Sequence, residues 1–318
     1  MPTPERILVT GGGGFIGAAL VRALLADGNE VHLLARSIAV PERLGNLHAA
    51  CVTHLADISD AASVRRAVRE SRPDVVFHLA AAGTAAGQSD RSTILRTNVL
   101  GTAHLLDSLR HRDYRAFVHA GTGAEYGACG EAIAEDAALA PLSDYAVAKA
   151  AASLLCLAEA RRKERPVVVV RIFGAYGPGE APQRLIPYVL DCCMRGEVPR
   201  INSGTQRRDF VFLDDVVALL RTASATAGAA GQVLHAGTGR DYSVQEVVET
   251  TLEVCGRSVR PTYGVELPRP GEPHRYLANI LRTTVLTGWR PKVALRSGIE
   301  RTWQWFRSTH TGPMRQAV

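Results

Sequence analysis

A glycine-rich turn near the start of the chain constrains the fold more than any other stretch. Residues 10–17 read Thr-Gly-Gly-Gly-Gly-Phe-Ile-Gly, after the apolar run Arg6–Val9 and before the amphipathic run Ala18–Ala26. This pattern predicts a strand, a tight turn and a helix whose free N–H groups face an anion. A dinucleotide pyrophosphate is the usual occupant, although Gly11, Gly14 and Gly17 are spaced one residue wider than G-x-G-x-x-G. A plain glycine turn is the alternative.

The rest of the first half alternates apolar runs with helical patterns. Strands are predicted at Ile7–Val9, Val31–Ala35, Val52–Leu55, Val75–Leu79, Ala116–His119 and Val167–Ile172. Helices are predicted at Phe15–Asp27, Ala61–Ser71, Ser92–His111 and Ser143–Glu164. The alternation predicts an α/β fold, a doubly wound parallel sheet of the Rossmann type, with ligands at the carboxyl ends of its strands.

After Ile172 the pattern changes, which predicts a second, smaller lobe. Residues 174–182 are rich in glycine and proline and predict a loop, followed by a helix at Leu185–Arg195. We predict a dinucleotide-binding Rossmann domain at 1–172, to which residues 209–238 return. Residues 173–208 and 239–308 are predicted to form an interleaved C-terminal substrate-binding lobe, and 309–318 a frayed tail.

Composition narrows the classes of function. The 318 residues are 46% hydrophobic, and no run approaches the roughly 18 apolar residues of a membrane span. No basic-then-apolar leader opens the chain, so we expect a cytoplasmic location and no membrane partner. The six cysteines form no C-x-x-C pair, so neither a metal site nor disulfides are expected. The net charge of +6 suits anionic small molecules and requires no nucleic-acid partner.

Two segments carry candidate chemistry. Tyr145 and Lys149 are four residues apart on a predicted helix, so their side chains share one face. A nearby ammonium favours a tyrosine phenolate and lowers its pKa from about 10, which would let the pair act as a general acid/base. Thr122 follows the strand Ala116–His119 and can present a hydroxyl at the carboxyl edge of the sheet. An ordinary half-buried tyrosine beside a lysine, and a threonine that stabilises a turn, are the alternatives.

Together these motifs resemble the extended short-chain dehydrogenase/reductase family, and more narrowly its NAD-dependent epimerase/dehydratase branch, which acts on nucleotide sugars. Other stretches along nearly the whole chain add to the resemblance: Phe77–Ala81, Asn98–Thr102, Arg171–Gly179, Arg208–Val211, Arg269–Glu272 and Gly288–Pro291.

The resemblance implies roles for individual residues. Tyr145 would be the acid/base, Lys149 its pKa tuner and ribose ligand, and Thr122 a partner of the reacting sugar oxygen, with hydride exchanged at a sugar carbon, usually carbon 4. Further cofactor contacts would come from Gly11, Gly14, Phe15, Ile16, Gly17, Arg36, Ser37, Asp57, Ile58, Leu79, Ala80, Ala81 and Asn98. The nucleotide-sugar substrate would contact Thr122, Gly123, Arg208 and Arg269, the two arginines gripping its diphosphate. Asp57 would contact the adenine, leaving the cap of the next helix to Ser59.

One departure from the family pattern concerns the cofactor. NAD-dependent members carry an acid at the end of the second strand, where it binds the adenosine ribose. Ala35 stands there in this chain and is followed by Arg36 and Ser37. Because these residues can hold a 2′-phosphate, NADP(H) is favoured, with NAD(H) as the alternative. The alternative is that Arg36 is simply an exposed arginine that contacts no phosphate.

Two other departures concern the substrate. The family's dehydratases place Asp-Glu directly after the catalytic threonine, whereas this chain has Gly123 and Ala124, with Glu125 one residue further on and expected to face elsewhere. Dehydration is therefore not expected. Gly174 also replaces an asparagine that contacts the nucleotide sugar in the family.

Three hypotheses follow. The first is an NADPH-dependent reductase of a nucleotide-linked 4-keto-(deoxy)hexose. The second is a nucleotide-sugar 4-epimerase with tightly bound NAD, and the third is a non-catalytic cofactor-sensing protein. A homodimer is also expected, because Ser92–His111 and Ser143–Glu164 resemble the family's four-helix interface, with Ala148, Ala151, Ala152 and Leu155 offering small and apolar surface.

Overall fold

A computed structural model describes residues 4–37, 39, 41–84, 90–128, 131–264 and 273–309. The strands in these ranges are β1 (Arg6–Thr10), β2 (Glu30–Ala35), β3 (Val52–Leu55), β4 (Val75–His78), β5 (Ala116–Thr122), β6 (Val167–Ile172), β7 (Gly174–Tyr176), β8 (Arg200–Ile201), β9 (Arg207–Phe212), β10 (Val233–Ala236), β11 (Asp241–Ser243), β12 (Thr262–Tyr263) and β13 (Arg275–Tyr276). The α-helices are α1 (Phe15–Ala26), α2 (Ala61–Ser71), α3 (Arg91–Leu95), α4 (Gly101–Ser108), α5 (Asp144–Lys163), α6 (Leu185–Arg195), α7 (Leu213–Ala225), α8 (Val244–Val254), α9 (Leu281–Thr287) and α10 (Leu295–Thr309).

A seven-stranded parallel sheet forms the centre of the molecule, in the order β10-β6-β5-β4-β1-β2-β3. Strand order reverses between β1 and β4, which is where an open α/β sheet offers a crevice to ligands. Apolar side chains pack on both faces: α1 and α7 cover one, and α2, α4 and α5 cover the other. The predicted doubly wound parallel sheet is confirmed.

A second region is built on a small four-stranded sheet. Strand β9 lies at its centre, antiparallel to β11 and parallel to β7 and β13. Helices α6, α8 and α10 bury a separate apolar cluster around Tyr176 and Phe212. Because β9 runs straight into α7, which packs on the central sheet, the two regions exchange chain segments. The predicted domain boundaries themselves stay a prediction.

Several local predictions are wrong. Residues 174–176, predicted as loop, form β7, because their backbone pairs with β9 rather than with solvent. The single helix predicted at Ser92–His111 is interrupted by a π-helical turn at Arg96–Leu100. The cap of α2 is Asp60, whose carboxylate accepts the N–H groups of Ala62 and Ser63, and not Ser59.

No helix within the described ranges is long and apolar enough to cross a membrane. The same residues contain no group of three or more histidine, cysteine, aspartate or glutamate side chains placed to hold a metal ion. The predicted frayed tail lies outside the described residues from position 310 onward.

Candidate active site

The carboxyl edge of the central sheet gathers most of the predicted site residues. The glycine turn follows β1, Arg36 and Ser37 follow β2, and Asp57 and Ile58 follow β3. Residues 79–81 follow β4, and Thr122 ends β5. All five strands are parallel, so these segments line one continuous edge.

The glycine turn is shaped by close backbone packing. Gly11 has a φ of +71°, and a Cβ there would lie 2.7 Å from the Ala80 nitrogen. A Cβ on Gly17 would collide with the Gly11 carbonyl oxygen. Gly14 caps α1 without any side-chain hydrogen bond, and the first turn of α1 carries no acidic residue. The first N–H groups of α1 are therefore open to an anion, and this cradle fits a dinucleotide pyrophosphate.

The predicted cofactor residues around the turn have different surroundings. Phe15 and Ile16 are partly buried and pack against the apolar cluster beneath α1. Leu79, Ala80 and Ala81 are half-buried, and the backbone of Leu79 and Ala80 lies against Gly11. The Ala80 N–H donates to the Thr10 hydroxyl, 3.1 Å away, which fixes the end of β4 against β1.

Asn98 lies in the π-helical turn and is fully buried. Its carboxamide makes a double hydrogen bond with Ala82, accepting from the backbone nitrogen at 2.8 Å and donating to the oxygen at 3.0 Å. Asn98 therefore holds the segment after β4 in place. The cofactor contact predicted for Asn98 would lie at this segment.

The ends of β2 and β3 carry the residues predicted for the adenosine half. Arg36 and Ser37 are exposed. Asp57 is exposed and accepts two hydrogen bonds from Ser59, both 2.8 Å long. Ile58 is buried and packs against Gly101, and its backbone oxygen is 3.2 Å from Nδ1 of His104, so its side chain is not available to a ligand.

Thr122, Tyr145 and Lys149 come together where β5 meets α5. Ser143 caps α5 by accepting the Ala146 N–H, which sets Tyr145 in the first turn. The Tyr145 side chain hydrogen-bonds the side chain of Thr122. Lys149 lies one turn further along and is buried, with its Nζ 3.3 Å from Nε2 of His119.

The protonation of this group differs from the expectation that Lys149 would lower the pKa of Tyr145. Burial raises the pKa of Tyr145 to about 12, and the negative charge of Glu125 adds to the rise. Arg184 and the Thr122 hydrogen bond act in the opposite direction. Burial lowers the pKa of Lys149 to about 8. At neutral pH the arrangement is therefore a neutral phenol beside an ammonium.

A buried ion pair lies directly beneath Thr122. Glu125 is fully buried. Its carboxylate accepts three hydrogen bonds, from Nε of Arg171 at 2.7 Å, from the Thr122 N–H at 2.9 Å and from the Ser153 hydroxyl at 3.0 Å. This carboxylate is turned into the protein, as expected. Gly121 makes room for it, because a Cβ there would lie 2.7 Å from its Oε1.

The two residues after Thr122 provide no acid. Gly123 is buried, and a Cβ there would lie 3.1 Å from the ring of Phe173. Ala124 follows it in a 3₁₀ turn, Gly123–Tyr126, and donates its N–H to the Thr122 hydroxyl at 3.3 Å.

Of the two arginines predicted to bind the substrate diphosphate, only Arg208 lies among the described residues. Arg208 lies in β9, where it donates to the backbone oxygens of Arg207 and His274 and stacks over Tyr276. Arg269 lies outside the described residues. Gly174 is in β7, and a Cβ there would lie 2.6 Å from the Asp209 oxygen, so the strand pairing leaves no space for asparagine at this position.

The sequence did not predict the buried side chains that lie behind Thr122 and Lys149. Arg171 interrupts the apolar strand Val167–Ile172, and a charge in a buried strand requires a partner, which was the available signal. Its partner Glu125 and the contact of His119 with Lys149 depend on pairing between separate elements and left no local signal.

Comparison with known proteins adds the family. The model of the NAD dependent epimerase/dehydratase family matches residues 7–237. The chain belongs to this family. The resemblance to extended short-chain dehydrogenases/reductases that modify nucleotide sugars is confirmed, and the protein is an enzyme.

Individual relatives include both branches of the family. The chain is 33% identical to a dTDP-glucose 4,6-dehydratase of Streptomyces niveus, over 95% of this chain and 93% of the relative. It is similar to the structure of a UDP-glucose 4-epimerase from Thermotoga maritima with UDP-glucose, with a TM-score of 0.88, 28% identity and coverage of 95% and 99%. It is also similar to a dTDP-glucose 4,6-dehydratase from Bacillus anthracis in complex with NAD, with a TM-score of 0.84, 26% identity and coverage of 95% and 96%.

Proposed function

We propose that this enzyme reduces a nucleotide-linked 4-keto-(deoxy)hexose with NADPH. The observation that carries the proposal is the combination of a complete Thr122, Tyr145 and Lys149 group with no acid at positions 123 and 124. Glu125 does not replace those acids, because its carboxylate is committed to Arg171, Ser153 and the Thr122 N–H. The chain therefore has the groups for redox chemistry at carbon 4 but lacks the acids its dehydratase relatives would use to remove water.

The proton chemistry agrees with reduction. When bound, the dinucleotide supplies the hydride that reduces the sugar ketone to an alcohol. Thr122 hydrogen-bonds the ketone oxygen, and the Tyr145 phenol donates its proton to that oxygen. A phenol whose pKa is raised to about 12 carries that proton at neutral pH. The Lys149 ammonium then stabilises the phenolate until solvent returns the proton.

The preference for NADPH is inferred from the end of β2. An acid at position 35 would repel a 2′-phosphate, whereas Ala35 does not, and the exposed Arg36 and Ser37 can bind one. Several solved relatives hold NAD, so this preference would be a property of this chain rather than of the family.

A nucleotide-sugar 4-epimerase with tightly bound NAD is the second candidate. It is favoured by the similarity to the Thermotoga maritima UDP-glucose 4-epimerase over nearly the whole of both chains. The same three catalytic residues would serve it. A non-catalytic sensor would instead keep its biological activity in a Tyr145→Phe variant.

The cofactor and the substrate are tested on the purified protein. Nucleotide released by denaturation is identified, NADPH and NADH are titrated, and oxidation of each is followed with 4-keto-6-deoxyhexoses linked to thymidine, uridine and guanosine diphosphates. We expect an empty site, tighter binding of NADPH and turnover with one of these sugars. Arg36→Ala should weaken NADPH about tenfold or more and leave NADH unchanged, because a charge-assisted phosphate contact is worth about 1.5–3 kcal/mol.

Opposite results are equally clear. Retained NAD together with interconversion of UDP-glucose and UDP-galactose would establish the epimerase. Failure to oxidise NADPH with every keto sugar would refute the reductase.

We further propose that the protein is a homodimer, through the two helical segments first expected but with partly different side chains in the contact. Of the side chains first expected in the contact, Ala148 and Ala152 are fully buried within their own chain and are not available to a partner, whereas Ala151 and Leu155 are half-buried. Helices α3 and α5 and the π-helical turn instead expose large apolar side chains: Leu95, Leu100, Val147 and Leu154. A second copy of the chain would cover this face.

Light scattering tests the homodimer at micromolar concentration. The wild type should have twice the chain mass, and Val147→Glu with Leu154→Glu should be monomeric. Leu281→Glu changes an even more exposed residue on α9 and should remain dimeric. A monomeric wild type would exclude the proposal.

A further inference from the structure

Lys149 has a fully buried histidine directly behind it. His119 lies on β5, and its Nε2 is 3.3 Å from the Lys149 Nζ. Both side chains are excluded from water, with 0% of His119 and 3% of Lys149 exposed. The reaction assigned to Tyr145 and Lys149 makes no direct use of this imidazole.

The neighbouring histidine is occupied by other partners. His78 on β4 lies with its ring centroid 5.2 Å from that of His119. Its Nδ1 is 2.7 Å from the Thr10 hydroxyl, and its Nε2 is 2.8 Å from the Thr102 hydroxyl. Both ring nitrogens of His78 are therefore satisfied by hydroxyl groups, and Lys149 depends on His119.

The contact has a defined direction. An ammonium has three donors and no acceptor, so Nε2 of His119 accepts the hydrogen bond and the ring proton resides on Nδ1. Burial lowers the pKa of His119 well below its usual value, and the positive charges of Lys149 and Arg171 lower it further, so the ring is neutral. Within the described residues, Nδ1 has no hydrogen-bond partner. The structure thus leaves a buried donor unsatisfied while it keeps the acceptor on Lys149.

We propose that His119 is a positioning residue, which accepts a hydrogen bond from Lys149 and so keeps this buried lysine charged and its ammonium fixed in place. The proposal rests on the proposed function only for the catalytic role of Lys149; the hydrogen bond and its effect on the lysine do not depend on any substrate.

Other groups around Lys149 cannot replace this contact. Glu125, from the 3₁₀ turn after β5, favours the charged lysine, but its carboxylate is held by Arg171, Ser153 and the Thr122 N–H. Cys156, on α5 itself, is fully buried, and burial raises the pKa of its thiol. Tyr145 is a neutral phenol. His119 is left as the acceptor in hydrogen-bond range.

The lysine content of the chain makes a direct test practical. Only three lysines are present: Lys149, Lys163 and Lys292. The full chain is labelled with ¹³Cε-lysine, and the pKa of each lysine is measured by NMR titration without cofactor. Lys163→Arg and Lys292→Arg assign the two other signals.

The matched variants are His119→Leu and His119→Gln. Leucine removes the acceptor, and we expect the pKa of Lys149 to fall by about one unit from about 8. The reason is that the free energy of a hydrogen bond to a charged group corresponds to a pKa change of about this size. Glutamine restores an acceptor and should return the pKa toward the wild-type value. His32→Leu removes another buried histidine, on β2, and should leave the pKa of Lys149 unchanged.

An unchanged or higher Lys149 pKa in His119→Leu would overturn the proposal. If that variant does not fold, ¹⁵N-histidine NMR of the wild type decides, because the proposal requires Nδ1 of His119 to be protonated and Nε2 to be bare. The opposite tautomer would refute it.

The pH profile of NADPH oxidation gives a second readout. Activity that needs charged Lys149 is lost as pH rises through its pKa, so this limb should move to lower pH in His119→Leu. A merely structural role would lower activity equally at every pH. If no keto sugar is reduced but the NMR shifts appear, the proposed function fails and the role of His119 stands.

Discussion

Tyr145 and Lys149 show how burial sets the working state of single residues. Burial favours the neutral form of each, which raises the pKa of the tyrosine to about 12 and lowers that of the lysine to about 8. The phenol is a proton donor at neutral pH, and the ammonium persists because hydrogen-bonding and charged neighbours support it. The pair is thus prepared for donating a proton rather than for removing one.

A Tyr145→Phe variant should separate binding from chemistry. It removes the proton donor and leaves the glycine turn intact, so we expect kcat to fall by about 10²–10⁴-fold with unchanged NADPH affinity. Stopped-flow oxidation and fluorescence titration of NADPH measure the two effects. Tyr114→Phe, at a tyrosine beside Arg165 and distant in sequence from α5, is the control and should retain full activity. Near-normal turnover by the Tyr145→Phe variant would contradict the role of the phenol.

At the scale of elements, Thr122 is held by the connection between β5 and the following 3₁₀ turn. Glu125 bonds the Thr122 N–H from within this turn and is itself fixed by Arg171 on the neighbouring strand β6. Arg171 also donates to the hydroxyl of Tyr126, so the turn is connected to β6 at two successive residues. The position of the Thr122 hydroxyl therefore depends on a buried ion pair.

Glu125→Gln should destabilise the protein strongly. It leaves the buried Arg171 without a compensating charge, which costs about 3–5 kcal/mol of unfolding free energy. Urea denaturation measures the loss. Glu5→Gln breaks the partly exposed pair with Arg115 and should cost no more than about 1 kcal/mol. Equal losses in the two variants would show that burial of the pair is unimportant.

Gly17→Ala should damage the turn between β1 and α1. The added methyl group would collide with the Gly11 carbonyl oxygen, and the displaced turn should bind the dinucleotide about tenfold or more weakly. Gly228→Ala, where no atom lies within 4 Å of the new Cβ, is the matched control and should bind normally. Titration of both proteins with NADPH and NADH provides the comparison, and unaltered affinity in Gly17→Ala would refute the packing argument.

For the molecule as a whole, the described part of the central sheet buries four histidines, one each on β2, β4, β5 and β10: His32, His78, His119 and His235. Burial lowers the pKa of His78 and of His235 to about 3, from 6.5. Between these values only the unfolded chain binds these protons, so the contribution of the two histidines to stability is fully present above about pH 6.5 and is lost as pH falls.

Acid should therefore destabilise the fold well above the range in which carboxylates titrate. His78 and His235 should each reduce the free energy of unfolding by about 1.4 kcal/mol per unit of falling pH between about pH 6 and 4. Urea denaturation at pH 7 and pH 5 measures the slope. His235→Gln should lower the slope by the contribution of one histidine, about 1.4 kcal/mol per pH unit. Substitution of the exposed His111 should leave the slope unchanged. Equal unfolding free energies at both pH values would contradict the prediction.

Long, strongly patterned segments were predicted well from the sequence. The six strands predicted between residues 7 and 172 are all present, and Ala61–Ser71 and Leu185–Arg195 are helical over the predicted residues. Short elements were missed: β8, β12 and β13 have two residues each, too few to show a hydrophobic period. The π-helical turn also escaped prediction, because Asn98 pairs with Ala82 rather than with residues on its own helix.

By itself, the sequence determined the α/β class, the glycine turn and the spacing that joins Tyr145 to Lys149, because each depends on residues close together in the chain. Only the tertiary structure decided what surrounds them. The hydrogen bond between His119 and Lys149 and the ion pair between Glu125 and Arg171 join residues 30 and 46 positions apart. Burial, which sets the pKa values of the site, arises only when the sheet and its helices pack. Local patterns thus specify which groups are present, and long-range packing specifies their charge.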